Sequence, residues 1–161
     1  MMRYTQFLII LMLFFAALLL IPVSAGAQEM ASQARILEVT GDAMFLKEGG
    51  ADWMALEKGM VLGEGDSIKT SADSEARVEI MGKRKTADLT IRENSQFKLK
   101  TMKYDTGSDA ERTYLDMESG NVLIKAEKLI GESTFEVKTP TSIIGIRGTL
   151  FEVNISATPS S

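Results

Sequence analysis

Hydrophobic patterning changes once along the chain. Phe7 to Ile21 is a run of 15 residues without a polar side chain, preceded by Arg3 and followed by Pro22 and Ala25-Gly26-Ala27. Beyond Gln28 the apolar residues alternate with polar ones in short runs closed by glycine, aspartate, asparagine or serine. Such alternation marks strands with one buried face, and no long window shows the helical period. Arg35 to Thr40 and Ala43 to Lys47 are the first two predicted strands, with a turn at Thr40-Gly41-Asp42. Two very short strands are expected within LEKGMVLGEGDSIKT. Glu75 to Met81 alternates cleanly, Ala76, Val78 and Ile80 inward, and Gly82-Lys83-Arg84-Lys85 forms a hairpin tip before Leu89 and Ile91. Glu93-Asn94-Ser95 turns into a strand carrying Phe97 and Leu99, and Asp105 to Asp109 is the longest polar break. Tyr114 to Met117 and Val122 to Ala126 flank Glu118-Ser119-Gly120-Asn121, a hairpin signal. Phe135 to Thr139 continues the meander. From Ile143 to Val153 both faces are largely apolar, which predicts a central strand that Gly148 could bulge.

Strands about ten residues apart, with turn chemistry between them, predict an all-β fold. A two-layer antiparallel sandwich or roll is expected, with a short β-solenoid as the alternative. The organisation read from the pattern is a signal peptide over 1–27, a short lead-in over 28–34, a β domain over 35–153 and a disordered tail over 154–161.

The apolar run is too short for a bilayer span, which needs roughly 20 residues, and the A-x-A follows at cleavage distance. Cleavage after Ala27 is therefore expected, leaving 134 residues that start at Gln28 and placing the protein in the periplasm. The membrane is then met only transiently, through the signal peptide. An uncleaved leader acting as an anchor is the alternative. Of 18 basic residues only Arg3 lies in the leader, so the remainder carries 17 against 22 acidic residues, net −5. That sign argues against a nucleic-acid partner. Cysteine and histidine are both absent. Disulfides, thiol chemistry, cysteine lipidation and the commonest metal ligand and general base go with them.

These absences narrow the chemistry. Asp66, Asp88, Asp116 and Glu118 are candidates for a carboxylate-based glycan hydrolase, but acids are common and these fall in turn or outward positions. No G-x-S-x-G occurs. One acidic turn, Gly63 to Asp66, lacks the ligand count of a calcium loop. The seven methionines beyond the leader are scattered without M-x-M spacing, as expected of core filling rather than copper binding. The expectation is a protein that is not an enzyme and has no cofactor or metal. Candidate contact residues are Trp53 and the basic tip Lys83, Arg84 and Lys85, together with an edge near Pro140.

Three motifs carry a family resemblance. Thr139, Pro140, Arg147, Gly148, Thr149, Phe151 and Val153 form a T-P…R-G-T-x-apolar-x-V pattern. Upstream, Leu56, Gly59, Leu62, Gly65, Asp66, Ile68 and Thr70 form L-x-x-G…G-D-x-I-x-T, and Leu115, Gly120 and Val122 form an apolar turn element. This set resembles the FecR domain over about residues 35–153. The resemblance implies envelope signalling, in which full-length regulators join a cytoplasmic anti-sigma segment and a membrane span to a periplasmic domain. Six residues precede the apolar run here, so Met1 to Gln6 is not expected to hold a sigma factor. The signature residues Gly65, Asp66, Thr70, Gly120, Thr139, Pro140, Arg147, Gly148 and Thr149 are expected to be mainly structural, since glycines suit turns and bulges. The function expected is a non-catalytic binding module for an envelope protein or cell-wall polymer, possible roles in signalling included. The alternatives are a membrane-anchored signal-transducing regulator and the hydrolase.

Overall fold

A computed structural model describes residues 28–148 and 150–155. The predicted leader and the last six residues lie outside the described residues. Thirteen strands account for the regular structure, and no helix occurs among the described residues. They are β1 (Glu29–Ala31), β2 (Gln33–Thr40), β3 (Ala43–Leu46), β4 (Met54–Ala55), β5 (Val61–Leu62), β6 (Ser67–Thr70) and β7 (Glu75–Met81). β8 (Lys85–Ile91), β9 (Gln96–Asp105), β10 (Glu111–Ala126), β11 (Thr134–Lys138), β12 (Ile143–Gly145) and β13 (Leu150–Ile155) follow.

These strands form one curled, largely antiparallel sheet, the all-β roll that the alternation predicts. Its layers arise because long strands bend instead of reversing. β8 and β9 run as one interrupted strand beside β10, pairing Ile91 with Val122 on one side of the bend and Gln96 with Ser119 on the other. β7 and β6 repeat the arrangement beside them, and β2 and β3 beside those. The breaks fall on one line across the sheet. Each carries a residue at positive φ: Gly41 at 72°, Asp73 at 53°, Asn94 at 53° and Gly120 at 95°. Two serines bind the line together. Ser74 Oγ accepts from Asp42 N at 2.9 Å, and Ser95 Oγ accepts from Asn121 N at 2.9 Å.

β10 shows how sharply the sheet folds. Its residues 112 and 126 would lie about 46 Å apart in a straight strand, at about 3.3 Å per residue. The link from Ala126 to Thr134 spans at most about 28 Å, yet Thr134 pairs in parallel with Arg112. The strand must therefore double back, and Thr86 shows that it does. The Thr86 carbonyl accepts from Glu127 N at 2.9 Å while its hydroxyl donates to Glu111 Oε2 at 2.6 Å. Both ends of one strand thus meet on one residue.

Folding the sheet encloses a continuous core. Ala76, Val78 and Ile80 are buried as the alternation predicts, against Ala87, Leu89, Ile91, Val122 and Ile124. Phe97, Leu99, Met102, Leu115, Met117, Phe135 and Val137 fill the other layer. The inward set on β9 slips from Leu99 to Met102 because the register with β10 shifts between Tyr114 and Leu115. Each fully buried Leu, Ile or Phe stabilises by about 1.5–3 kcal/mol relative to exposure, which a chain without disulfides depends on. Met102 and Met117 fill the core, whereas Met30 and Met54 are exposed.

Four expectations are corrected. Glu118 to Asn121 is no hairpin: β10 runs through it, and Gly120 bends the strand because Ser95 takes both backbone groups of Asn121. β11 lies parallel to β10, so the chain is not a pure meander. The signature strand is at an edge, not the centre, since β13 pairs only with β10 among the described strands. Finally, β1 occupies part of the lead-in, and β13 continues through Asn154 and Ile155, the first residues of the expected tail.

Candidate interaction surface

Gly65, Asp66 and Thr70 of the upstream signature are buried and engaged. Asp66 is almost inaccessible; Oδ2 accepts from Lys47 Nζ at 2.7 Å and Gly63 N at 2.9 Å, and Oδ1 accepts from Glu48 N at 3.0 Å. Burial alone would raise this carboxyl's pKa, but the Lys47 and backbone hydrogen bonds prevail and hold it below the ordinary value. Gly65 donates to Leu99 O at 2.6 Å, and a Cβ there would overlap the Glu48 side chain. Thr70 Oγ1 donates to Arg92 O at 2.5 Å and accepts from Ser95 N at 3.1 Å. Thr70 and Gly120, 50 positions apart in sequence, therefore converge on Ser95. Sequence reasoning found both and missed the serine that joins them.

The downstream signature builds a different feature. Thr139 Oγ1 accepts from Ser142 N at 3.0 Å and closes the loop over exposed Pro140, which follows the end of β11 and leads into β12, an edge strand paired only with β11 among the described strands. The chain leaves regular pairing at Ile146, which is buried, and Arg147, which is exposed. Gly148 adopts φ 64°, and a Cβ there would press on Lys128 Cα at 3.0 Å. This break resolves the two-sided apolar pattern: it separates β12 from β13 and turns Arg147 outward. Thr149 lies outside the described residues.

The candidate contact residues fare unequally. Trp53 is half-buried with Lys69 Nζ 4.2 Å from its ring centroid, so one face of the indole is covered by a cation. The tip Lys83, Arg84 and Lys85 is exposed at the β7–β8 hairpin, as predicted. Its charge is nevertheless answered locally: Lys83 pairs with Asp109 at 2.5 Å, Arg84 with the same residue at 4.0 Å, and Lys85 with Asp88 at 2.6 Å. The four candidate acids are dispersed. Asp66 serves its loop, Asp88 faces Lys85, Asp116 faces Lys138 at 3.6 Å, and Glu118 accepts from Gln96 at 2.5 Å. No group of three or more potential metal ligands occurs among the described residues.

The structure instead exposes an apolar surface at the two edges beside the signature break. Ile143 is 64% exposed, Leu150 63% and Phe151 37%. Ile144 is opposite Val137 and Phe151 opposite Ile124, so both turn toward the core from opposite layers. Between them opens a cleft of about 600 Å3, lined also by Thr139, Ser142 and Val153. The signal for it was present in the two-sided apolar pattern from Ile143 to Val153. That pattern fits a buried central strand equally well, and only pairing decides.

A family model described as FecR protein matches residues 66–161. No curated protein and no solved structure matches the chain. The folding unit reaches further back than that match, because β2 pairs with β7, β3 pairs with β6, and Ile36 is buried in the common core.

Proposed function

This chain belongs to the FecR protein family, and we propose that its β domain acts in the periplasm as a non-catalytic interaction module for envelope signalling. Domains of this family are typically envelope-associated, which supports the compartment together with the signal-peptide layout of residues 1–27. The observation that carries the reading is the open apolar edge: Ile144 and Phe151 lie partly uncovered along one cleft, beside a strand, β13, that no described strand covers on its outer side. Exposed apolar clusters of this kind mark protein contacts. The non-catalytic reading draws support from the acids, each of which is engaged by a structural neighbour.

Expression of the full chain with a C-terminal tag, followed by fractionation and intact-mass measurement, tests the compartment. A periplasmic species whose mass begins at Gln28 is expected; a retained leader would favour the membrane-anchored regulator, and a cytosolic product would overturn both. Capture from envelope extract tests the contact. An enriched partner should be lost with Phe151→Asp, while replacing Lys83, Arg84 and Lys85 together by serine should leave it bound. The reverse pattern would move the contact to the hairpin tip. Circular dichroism on each variant separates lost contact from lost fold.

A further inference from the structure

The sheet treats its edges differently. β4 and β5, at the two ends of the main strand order, are two residues long, a common way to blunt an edge against pairing. β13 is six residues long and no described strand lies on its outer side. Its backbone groups facing away from β10 are a row onto which another strand can be laid. Its inward side chains, Phe151, Val153 and Ile155, continue the core, with Phe151 partly uncovered. Ile144 from the opposite layer is partly uncovered beside the same cleft. A strand added to β13 would place alternate side chains over Ile144 and Phe151 and close the sandwich at this side.

Charge narrows what such a strand carries. Among the described residues lining the cleft, the charged ones are Glu118 and Glu152, with no lysine or arginine. Glu152 shares its charge with Arg92 at 3.2 Å, whereas Glu118 is held by the neutral amide of Gln96. Glu118 is therefore the stronger rim anion. A second copy of this chain fits poorly. Antiparallel pairing of two β13 edges centred on Glu152 sets that residue against its own copy, and a register centred on Val153 still brings two acidic rims together. Like charges opposed across strands destabilise pairing.

We propose that β13 is a strand acceptor for an extended segment of a partner protein, with apolar side chains at alternate positions and lysine or arginine flanking them. The proposal rests on the interaction-module reading and names the chemistry of its partner. β13 offers about 20 Å of edge, enough for a segment of roughly six residues. Backbone pairing supplies affinity, Ile144 and Phe151 select the apolar positions, and Glu118 selects the flanking cation.

The test uses the mature domain and a fluorescent peptide of sequence Lys-Val-Thr-Val-Thr-Val-Lys. Saturable binding is expected, with amide shifts confined to Ile143–Gly145 and Leu150–Ile155 by NMR. Replacing both lysines by glutamate, or methylating alternate backbone nitrogens, should each weaken binding at least about tenfold, the equivalent of roughly 1.4 kcal/mol. Glu118→Lys, on an exposed side chain whose hydrogen bond is to the Gln96 amide, should reverse the preference between lysine-flanked and glutamate-flanked peptides, with circular dichroism confirming that the variant folds. Absence of binding, indifference to methylation or flank charge, or shifts on another surface would overturn the assignment. So would sedimentation showing that two copies associate through β13. If the peptide fails while an envelope partner is still captured, the strand acceptor falls and the interaction module stands.

Discussion

Gly120→Ala is expected to destabilise the domain by about 2–6 kcal/mol, a large part of the 5–15 kcal/mol that holds a typical native state. Two costs add. Gly120 sits at φ 95°, where an L side chain is strained by about 1–3 kcal/mol. A Cβ there would also overlap the Cα and Oγ of Ser95, and overpacking of a fixed site costs about 1–3 kcal/mol more. Ser95 cannot yield easily, because its hydroxyl bonds Asn121 and its amide bonds Thr70. Gly49→Ala is the control: φ is 70°, but nothing lies within 4 Å of the added Cβ, so only the conformational cost of about 1 kcal/mol applies. Urea unfolding followed by circular dichroism measures both. Equal losses at the two positions would mean that the bend does not depend on close approach to Ser95. Ser95→Gly in the Gly120→Ala background should recover part of the loss, since it removes the hydroxyl and Cβ but leaves the backbone contact.

The same corner shows what the sequence conveyed and what it withheld. A glycine or asparagine between two alternating runs reports a positive φ, and the structure has one at Gly41, Asn94 and Gly120. A positive φ serves a tight reversal and a bend in a continuing strand alike. At Gly49, with φ 70°, the chain reverses between β3 and β4, because the amide of Gly50 finds the carbonyl of Lys47 within the loop. At Gly120 the local groups instead find Ser95, 25 residues away, and the strand continues. Which outcome holds depends on a partner that lies on another strand. Short similar runs, Asp73-Ser74-Glu75-Ala76 and Asn94-Ser95-Gln96-Phe97, mark two successive corners. They are visible in the sequence but too brief to stand out before the corners are known.

Inward and outward positions were legible because alternation needs only a local period: Ala76, Val78, Ile80, Leu89, Ile91, Phe97 and Leu99 are all buried. The parallel pairing of β11 with β10 was not, since it follows from a doubled-back strand rather than from any local signal. The contact surface was half legible. The segment from Ile143 to Val153 drew attention as the signature, yet its apolar residues on both faces suggested a buried centre. Exposure of Ile143 and Leu150 follows from a register that turns them outward with Lys138 and Lys125, and that of core-facing Phe151 from the absence of a described strand beyond β13, both properties of pairing. The basic tip was correctly placed in the hairpin, while its neutralisation by Asp109 and Asp88 depended on residues the alternation pattern could not bring near.

Asp66→Ala is expected to cost about 2–3 kcal/mol at neutral pH, by leaving the amides of Glu48 and Gly63 without their acceptor and Lys47 without its counter-ion. The carboxylate fixes the loop between β5 and β6, where Gly65 and Asp66 also exchange backbone hydrogen bonds with Leu99 of β9. Losing it should loosen that side of the core. Lys47→Met should cost much less, since the Lys47 side chain is half exposed and the pair is screened by solvent, while both amide bonds remain. The pH dependence has a definite sign. In the folded state the Asp66 carboxyl is held below its ordinary value, so the unfolded chain takes up the proton first as pH falls. The stabilisation is therefore complete above the unfolded pKa of about 3.9 and drains away as pH falls through the folded value. Asp66→Asn lacks this titration. Its deficit against the natural sequence should be largest near pH 6–7 and should shrink in acid, as read from urea midpoints across the range. A deficit that stays constant down to pH 2.5 would show that Asp66 acts through its shape and amide contacts, and that its charge contributes nothing to the fold.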